Sequence, residues 1–166
     1  MGAIFVTVAC EIVSHRGAVF SVWGAPTVED VDRVLAAVAQ AAATYGGPIV
    51  YVTRVPPQAP APEGPVRRHI DAVLPEMTRH CSSYHVVLEG AGFIASVKRS
   101  VLTNLLQPIW KRRKFYVHAD VKEVRGHIED GEQANVTALF AKAQRLNLLT
   151  CAPPGQPARL RHSSAG

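Results

Sequence analysis

Residues 4–23 read Ile4-Phe5-Val6-Thr7-Val8-Ala9-Cys10-Glu11-Ile12-Val13-Ser14-His15-Arg16-Gly17-Ala18-Val19-Phe20-Ser21-Val22-Trp23. Ile4 to Val13 and Ala18 to Trp23 are rich in the β-branched and aromatic residues that favour strands. Between them Ser14-His15-Arg16-Gly17 reads as a turn, with Gly17 supplying a positive φ. Two strands joined so closely predict an antiparallel hairpin, which Gly24-Ala25-Pro26 ends. A helix follows at once. Thr27 is a natural N-cap, and Glu29 and Asp30 suit the positive end of the helix dipole. Val31, Val34, Leu35, Val38 and Ala42 recur at helical spacing, and Gly46-Gly47-Pro48 stops the run.

Working outward, Ile49 to Thr53 is a short apolar run, as in a strand buried on both faces. Val55-Pro56-Pro57-Gln58-Ala59-Pro60-Ala61-Pro62 holds four prolines in eight residues and predicts a stiff, extended surface loop. Gly64-Pro65 opens a second helix with Val66, Ile70, Val73, Leu74 and Met77 inward; Pro75 predicts a kink or break between Leu74 and Glu76. Tyr84 to Leu88 is the fourth strand. Gly90-Ala91-Gly92 leads into a helix over 93–109, and Lys114 to Ala119 is the fifth strand. Gly126 to Gly131 reads as a turn region. A last helix covers 133–147, with Val136, Leu139, Phe140, Ala143 and Leu146 inward. The order is β-β-α-β-α-β-α-β-α: an α/β fold with a single mixed sheet, an N-terminal hairpin followed by βα units. Residues 1–150 form one domain, and 151–166, rich in Pro, Arg and Ser, form a flexible tail.

Of the 166 residues, 48% are hydrophobic and 19% charged, which suits a globular core and excludes a disordered chain. No apolar run approaches the roughly 20 residues of a membrane helix. Met1-Gly2-Ala3-Ile4-Phe5 lacks the basic start of a signal peptide. Cys10, Cys81 and Cys151 are widely spaced and odd in number, so no disulfide framework follows and a reducing cytoplasm is expected. The net charge is +5. Its excess sits in residues 98–126, where eight basic and two acidic side chains give +6. A local patch of this kind attracts an acidic protein, a phosphate or an anionic surface.

The helix over 93–109 can turn Phe93, Ile94, Val97, Val101, Leu105 and Ile109 to the sheet. Ser96, Arg99, Ser100, Thr103, Asn104 and Gln107 then form a polar stripe on its far side. Short hydroxyls and amides are poorer helix formers than Glu or Lys, so the stripe reads either as a partner surface or as an ordinary solvated face. Trp110-Lys111-Arg112-Arg113-Lys114-Phe115-Tyr116 follows, four basic residues flanked by aromatics, a pattern seen in nucleic-acid and phosphate patches.

Signals for catalysis are weak. His118 and Asp120 alternate along the fifth strand and share a face with Tyr116. His80, Cys81 and His85 form a loose cluster whose spacing matches no zinc pattern, although a Cys/His pair is conceivable there. Cys81 is read on the buried side of the second helix and Cys10 in mid-strand, where free cysteine acts as a small apolar residue. The chain has no GxGxxG, GxxxxGK[ST] or GxSxG motif. Gly90-Ala91-Gly92 sits between strand and helix, where backbone amides can hold an anion, but two glycines are a weak signal and a tight turn explains them.

The stretch Glu11-Ile12-Val13-Ser14-His15-Arg16-Gly17-Ala18-Val19-Phe20-Ser21-Val22-Trp23-Gly24-Ala25-Pro26-Thr27-Val28-Glu29-Asp30-Val31 resembles the start of STAS-like domains, the fold of anti-sigma-factor antagonists. The similarity is one of hydrophobic layout over roughly residues 4–147. It implies a domain that binds proteins or small ligands and is not an enzyme. Phosphoswitch members carry a serine or threonine after the third strand. Here that place holds Thr53-Arg54-Val55-Pro56-Pro57 and then Glu63-Gly64-Pro65, and Thr53 reads as strand.

The expectation is therefore a non-enzymatic cytoplasmic interaction module, regulatory or scaffolding, without cofactor or metal. Its partner would be an acidic protein, bound by Ser96, Arg99, Ser100, Thr103, Asn104 and Gln107 with Lys111, Arg112, Arg113 and Lys114 steering. Self-association is compatible with this reading. The alternatives are nucleic acid or anionic lipid on the 98–114 patch, or a small ligand against Tyr116, His118 and Asp120.

Overall fold

The computed structural model describes residues 10–90, 99 and 114–149. Over the described residues the chain is α/β, with a single mixed sheet of five strands: β1 (Cys10–His15), β2 (Ala18–Trp23), β3 (Ile49–Val55), β4 (Cys81–Leu88) and β5 (Lys114–His118). They lie side by side in sequence order, β1-β2-β3-β4-β5. β1 and β2 pair antiparallel as the hairpin, and every later pairing is parallel. Four helices are described in full: α1 (Val28–Tyr45), α2 (Gly64–Arg79), α3 (Val121–Val124), which runs into a 3-10 turn over Arg125–His127, and α4 (Gln133–Arg145). The helix expected over 93–109 and the tail from 151 lie outside the described residues, apart from Arg99, which is helical.

Side chains alternate across the sheet and divide the core in two. Val19, Ile49, Tyr51 and Cys81 pack under α1 and α2 with Val34, Val38, Leu74 and Met77. Phe20, Val22, Val50, Val52 and Val87 face the other way, against Val121, Val124, Ile128, Val136, Leu139 and Phe140 of α3, its 3-10 extension and α4. Phe140 meets Phe20 edge to face, ring centroids 6.1 Å apart. Two successive crossovers that move the same way across the sheet place both their helices on one face, as right-handed connections require. β3 is buried from Ile49 to Arg54, as a central parallel strand should be.

Local signals set the element ends. Thr27 caps α1: its Oγ1 accepts from the Asp30 amide and the Asp30 carboxylate accepts from the Thr27 amide, a reciprocal capping box. Gly46, at φ 81°, ends α1 in the left-handed conformation. Leu148 N donates to Ala143 O beyond α4, with Asn147 at φ 58° in the position that glycine often takes.

Several expectations are corrected. The positive φ in the hairpin belongs to Arg16, at 45°, and not to Gly17. A Cβ on Gly17 would stand 2.8 Å from Cζ of Tyr45, so that the Tyr45 ring would have to shift. α2 runs through Pro75 to Arg79 without the expected break. The proline withholds one amide donor, and the helix continues for a further turn past it. β4 consequently begins at Cys81 and not at Tyr84, so Cys81 is a strand residue. The expected turn region holds a 3-10 turn preceded by the short α3. Leu146 is 55% exposed at the C-cap of α4 rather than part of its inner face.

Candidate functional site

Among the described residues, buried polar side chains gather at three places in this framework. The first is the α3/α4 face of β4 and β5. A register irregularity between β3 and β4 matches Ile49 with Cys81 but Val50 with Ser83, so Ser82 is an extra residue. The irregularity sends Cys81 towards α2, where its thiol donates to Met77 O at 3.3 Å. Ser83 and His85 point to the opposite face. The parallel register sets His85 beside Tyr116 and Val87 beside His118, so His85, Tyr116 and His118 share that face.

The result is a linear polar chain. Ser83 Oγ lies 3.0 Å from His85 Nε2, and His85 Nδ1 lies 3.0 Å from His118 Nε2. His118 Nδ1 is 3.9 Å from Oε2 of Glu123. His85 is 0% exposed and His118 2%. Burial drives proton affinity down in both rings, and each carries the further penalty of a neighbouring imidazole: His85 falls to about 3 and His118 to about 4, the latter despite Glu123. With both rings neutral, one consistent proton arrangement has Ser83 donating to His85, His85 to His118, and His118 facing the carboxylate. The order of groups resembles a serine–histidine relay. Ser83 is itself buried, however, and its hydroxyl is engaged inside the fold.

The second group lies on the α1/α2 face near the carboxyl ends of β2 and β3. Ser21 Oγ donates to Thr53 Oγ1 at 3.1 Å and accepts from Tyr51 Oη at 2.8 Å and Trp23 Nε1 at 2.9 Å. Burial pushes the Tyr51 phenol far above its ordinary value, outweighing these hydrogen bonds. Burial likewise raises the Cys10 thiol to about 11, so it carries no thiolate at neutral pH. The third group is Arg54, buried in β3. Its Nε and Nη2 donate to the Glu89 carboxylate at 2.6 and 2.8 Å, and its Nη1 donates to Leu148 O at 3.1 Å.

The clusters expected from sequence dissolve. His80 caps α2, Cys81 and His85 face opposite layers, and no Cys/His pair forms among them. Asp120 lies past the end of β5, where it caps α3 by accepting from Lys122 N; Tyr116 and His118 do share a face, but Asp120 does not join them. Among the described residues, no group of three or more His, Cys, Asp or Glu is placed to hold a metal ion. Of the expected partner-binding residues, Ser96, Ser100, Thr103, Asn104, Gln107, Lys111, Arg112 and Arg113 lie outside the described residues. Arg99 Nη1 donates to Leu88 O and Gly90 O at 3.1 and 3.2 Å, gripping the end of β4. Lys114 opens β5, and its ammonium pairs with Glu129.

The sequence carried one usable signal for what was missed. Ser21 within Ala18–Trp23, and Thr53-Arg54 after Ile49–Val52, are polar residues in strands that read as buried, and such groups need internal partners.

No protein family, curated protein or solved structure matches the chain. Among the described residues, no helix is long and apolar enough to cross a membrane.

Proposed function

We propose that the chain is a non-enzymatic, STAS-like interaction module that docks an acidic protein through the 96–114 segment. The observation that carries this reading is the internal use of the buried polar groups. Ser21, Asp30, Thr53, Arg54, Ser83, His85 and His118 are each hydrogen-bonded to another part of the chain. Such groups hold the fold together and leave recognition to other residues; the densest basic run in the sequence is Lys111-Arg112-Arg113-Lys114. An N-terminal hairpin followed by parallel strands in sequence order is compatible with the STAS-like layout. Thr53 is buried and accepts from Ser21, which speaks against a phosphoswitch at that residue. A basic surface would steer an acidic partner and set its association rate more than its affinity.

The test compares the full chain with Ser100→Glu/Arg112→Glu as baits in native lysate at moderate salt, with and without nuclease. A nuclease-resistant protein held by the wild type and lost by the variant supports the module and its surface. Nucleic acid, or prey that leaves with nuclease, transfers the patch to nucleic-acid binding. Equal capture by both baits refutes the assignment of this surface.

A further inference from the structure

The polar groups left outside that binding surface converge beneath residues 119–128. His85 Nδ1 and His118 Nε2 stand 3.0 Å apart, which leaves room for one proton between the rings and not for two. Tyr116 stacks on His85 from β5 with centroids 4.9 Å apart. His127, on the 3-10 turn, lies 4.8 Å from Tyr116 and 5.1 Å from His118. Glu123, on α3, faces His118 and also accepts from Ala119 N. Arg125 turns away, over the Phe140 ring. Further along, Lys114 pairs with Glu129 and Ser82 donates to Glu132. Among the described residues, the charged or titratable groups against the buried pair are thus another imidazole, a phenol and one carboxylate.

The covering segment is short. α3 has four residues and the 3-10 turn three. It sits on the face opposite α1 and α2, whose core is a separate cluster.

We propose that the His85–His118–His127 cluster is an acid-sensitive latch that seats residues 119–128 on β4 and β5 and releases them when the buried imidazoles take up protons. In the closed state the first added proton must be carried in a buried site. A second sets N–H against N–H across the 3.0 Å contact. In the open state both rings meet water and titrate near the ordinary histidine value of about 6.5. At pH 5 each ring then favours the open state about 30-fold, and the two together about 1000-fold, relative to pH 7.5.

Amide hydrogen exchange of the full chain, corrected for intrinsic rates, reads this directly. Between pH 7.5 and 5.0 the protection of residues 121–128 falls about 1000-fold, and at pH 5.0 they exchange ahead of residues 31–42 of α1. Unchanged protection overturns the proposal. So does loss of protection at one rate shared with α1, because the opening is then global. His118→Gln keeps a donor and an acceptor and cannot titrate in this range, so its loss of protection shrinks to about 30-fold. A folded variant that keeps the full change refutes the latch, and if the variant does not fold, the wild-type comparison decides alone.

Discussion

Replacing Arg54 with methionine keeps most of its aliphatic stem and removes the guanidinium. That side chain is 4% exposed and its partner Glu89 18%. Breaking a buried ion pair by removing one member costs about 3–5 kcal/mol, because the other charge is left without compensation. Glu89 retains some contact with water and rehydrates in part, which places its share near the lower bound, about 3 kcal/mol. Leu148 O also loses its donor, a further ~1 kcal/mol. Arg54→Met is therefore expected to lower unfolding stability by about 4 kcal/mol, and Glu89→Gln by ~3 kcal/mol, since it strands the buried cation. The double variant buries no charge at this site and recovers about 2 kcal/mol of the summed loss, as coupled neighbours do. Urea denaturation followed by far-ultraviolet circular dichroism gives all three values. A loss below 1 kcal/mol for Arg54→Met, or strict additivity in the double variant, refutes the reasoning.

Acid should weaken the whole fold as well as the covering segment. His85 and His118 have lowered folded-state values, about 3 and about 4, so their cost is absent above the unfolded value near 6.5 and grows as pH falls below it. At pH 5 both rings are neutral in the closed fold and charged when unfolded, so urea denaturation at pH 7.5 and 5.0 should show stabilities that differ by up to about 4 kcal/mol. Thr27→Ala removes both side-chain links to Asp30 and should cost about 1 kcal/mol in the same assay. Gly46→Ala forces a side chain into φ 81° and should cost about 1–2 kcal/mol, with open space around it and no clash to relieve. Asn147→Gly, at φ 58°, should be neutral or stabilising; a clear loss would show that the asparagine side chain contributes more than its backbone shape.

Where short-range chemistry decides, the sequence was readable. Thr27 with Asp30, the valine stripe of α1 and the unbroken apolar run Ile49–Val52 each point to the element that forms. The hairpin and the βα succession were legible for the same reason. Pro75 marks a missing amide donor but not whether packing carries the helix past it, and the helix does continue, to Arg79. The histidine chain was invisible for a stronger reason. His85 and His118 are 33 residues apart and meet through a register set partly by the extra Ser82. Nearness along the chain groups His85 with His80 and Cys81, and His118 with Asp120. Arg54 and Glu89 are likewise 35 residues apart. A buried arginine announces that a counter-charge exists, but not where the chain supplies it.

The sheet grows one strand at a time, each laid beside its predecessor, whereas α4 returns from the far end of the chain to cover β1 and β2. Lys142 Nζ reaches Ser14 O across 128 positions, and Phe140 reaches Phe20. During synthesis from the N-terminus, α1 and α2 are available to shield their face as soon as β3 and β4 emerge. The other face waits. Until residues 133–145 leave the ribosome, Phe20, Val22, Val50 and Val52 have no α4 to cover them. The nascent protein therefore passes through a stage with one finished side and one adhesive side, the kind of species that chaperones hold and that aggregates when they do not. A stop codon placed after residue 130 would make that stage permanent.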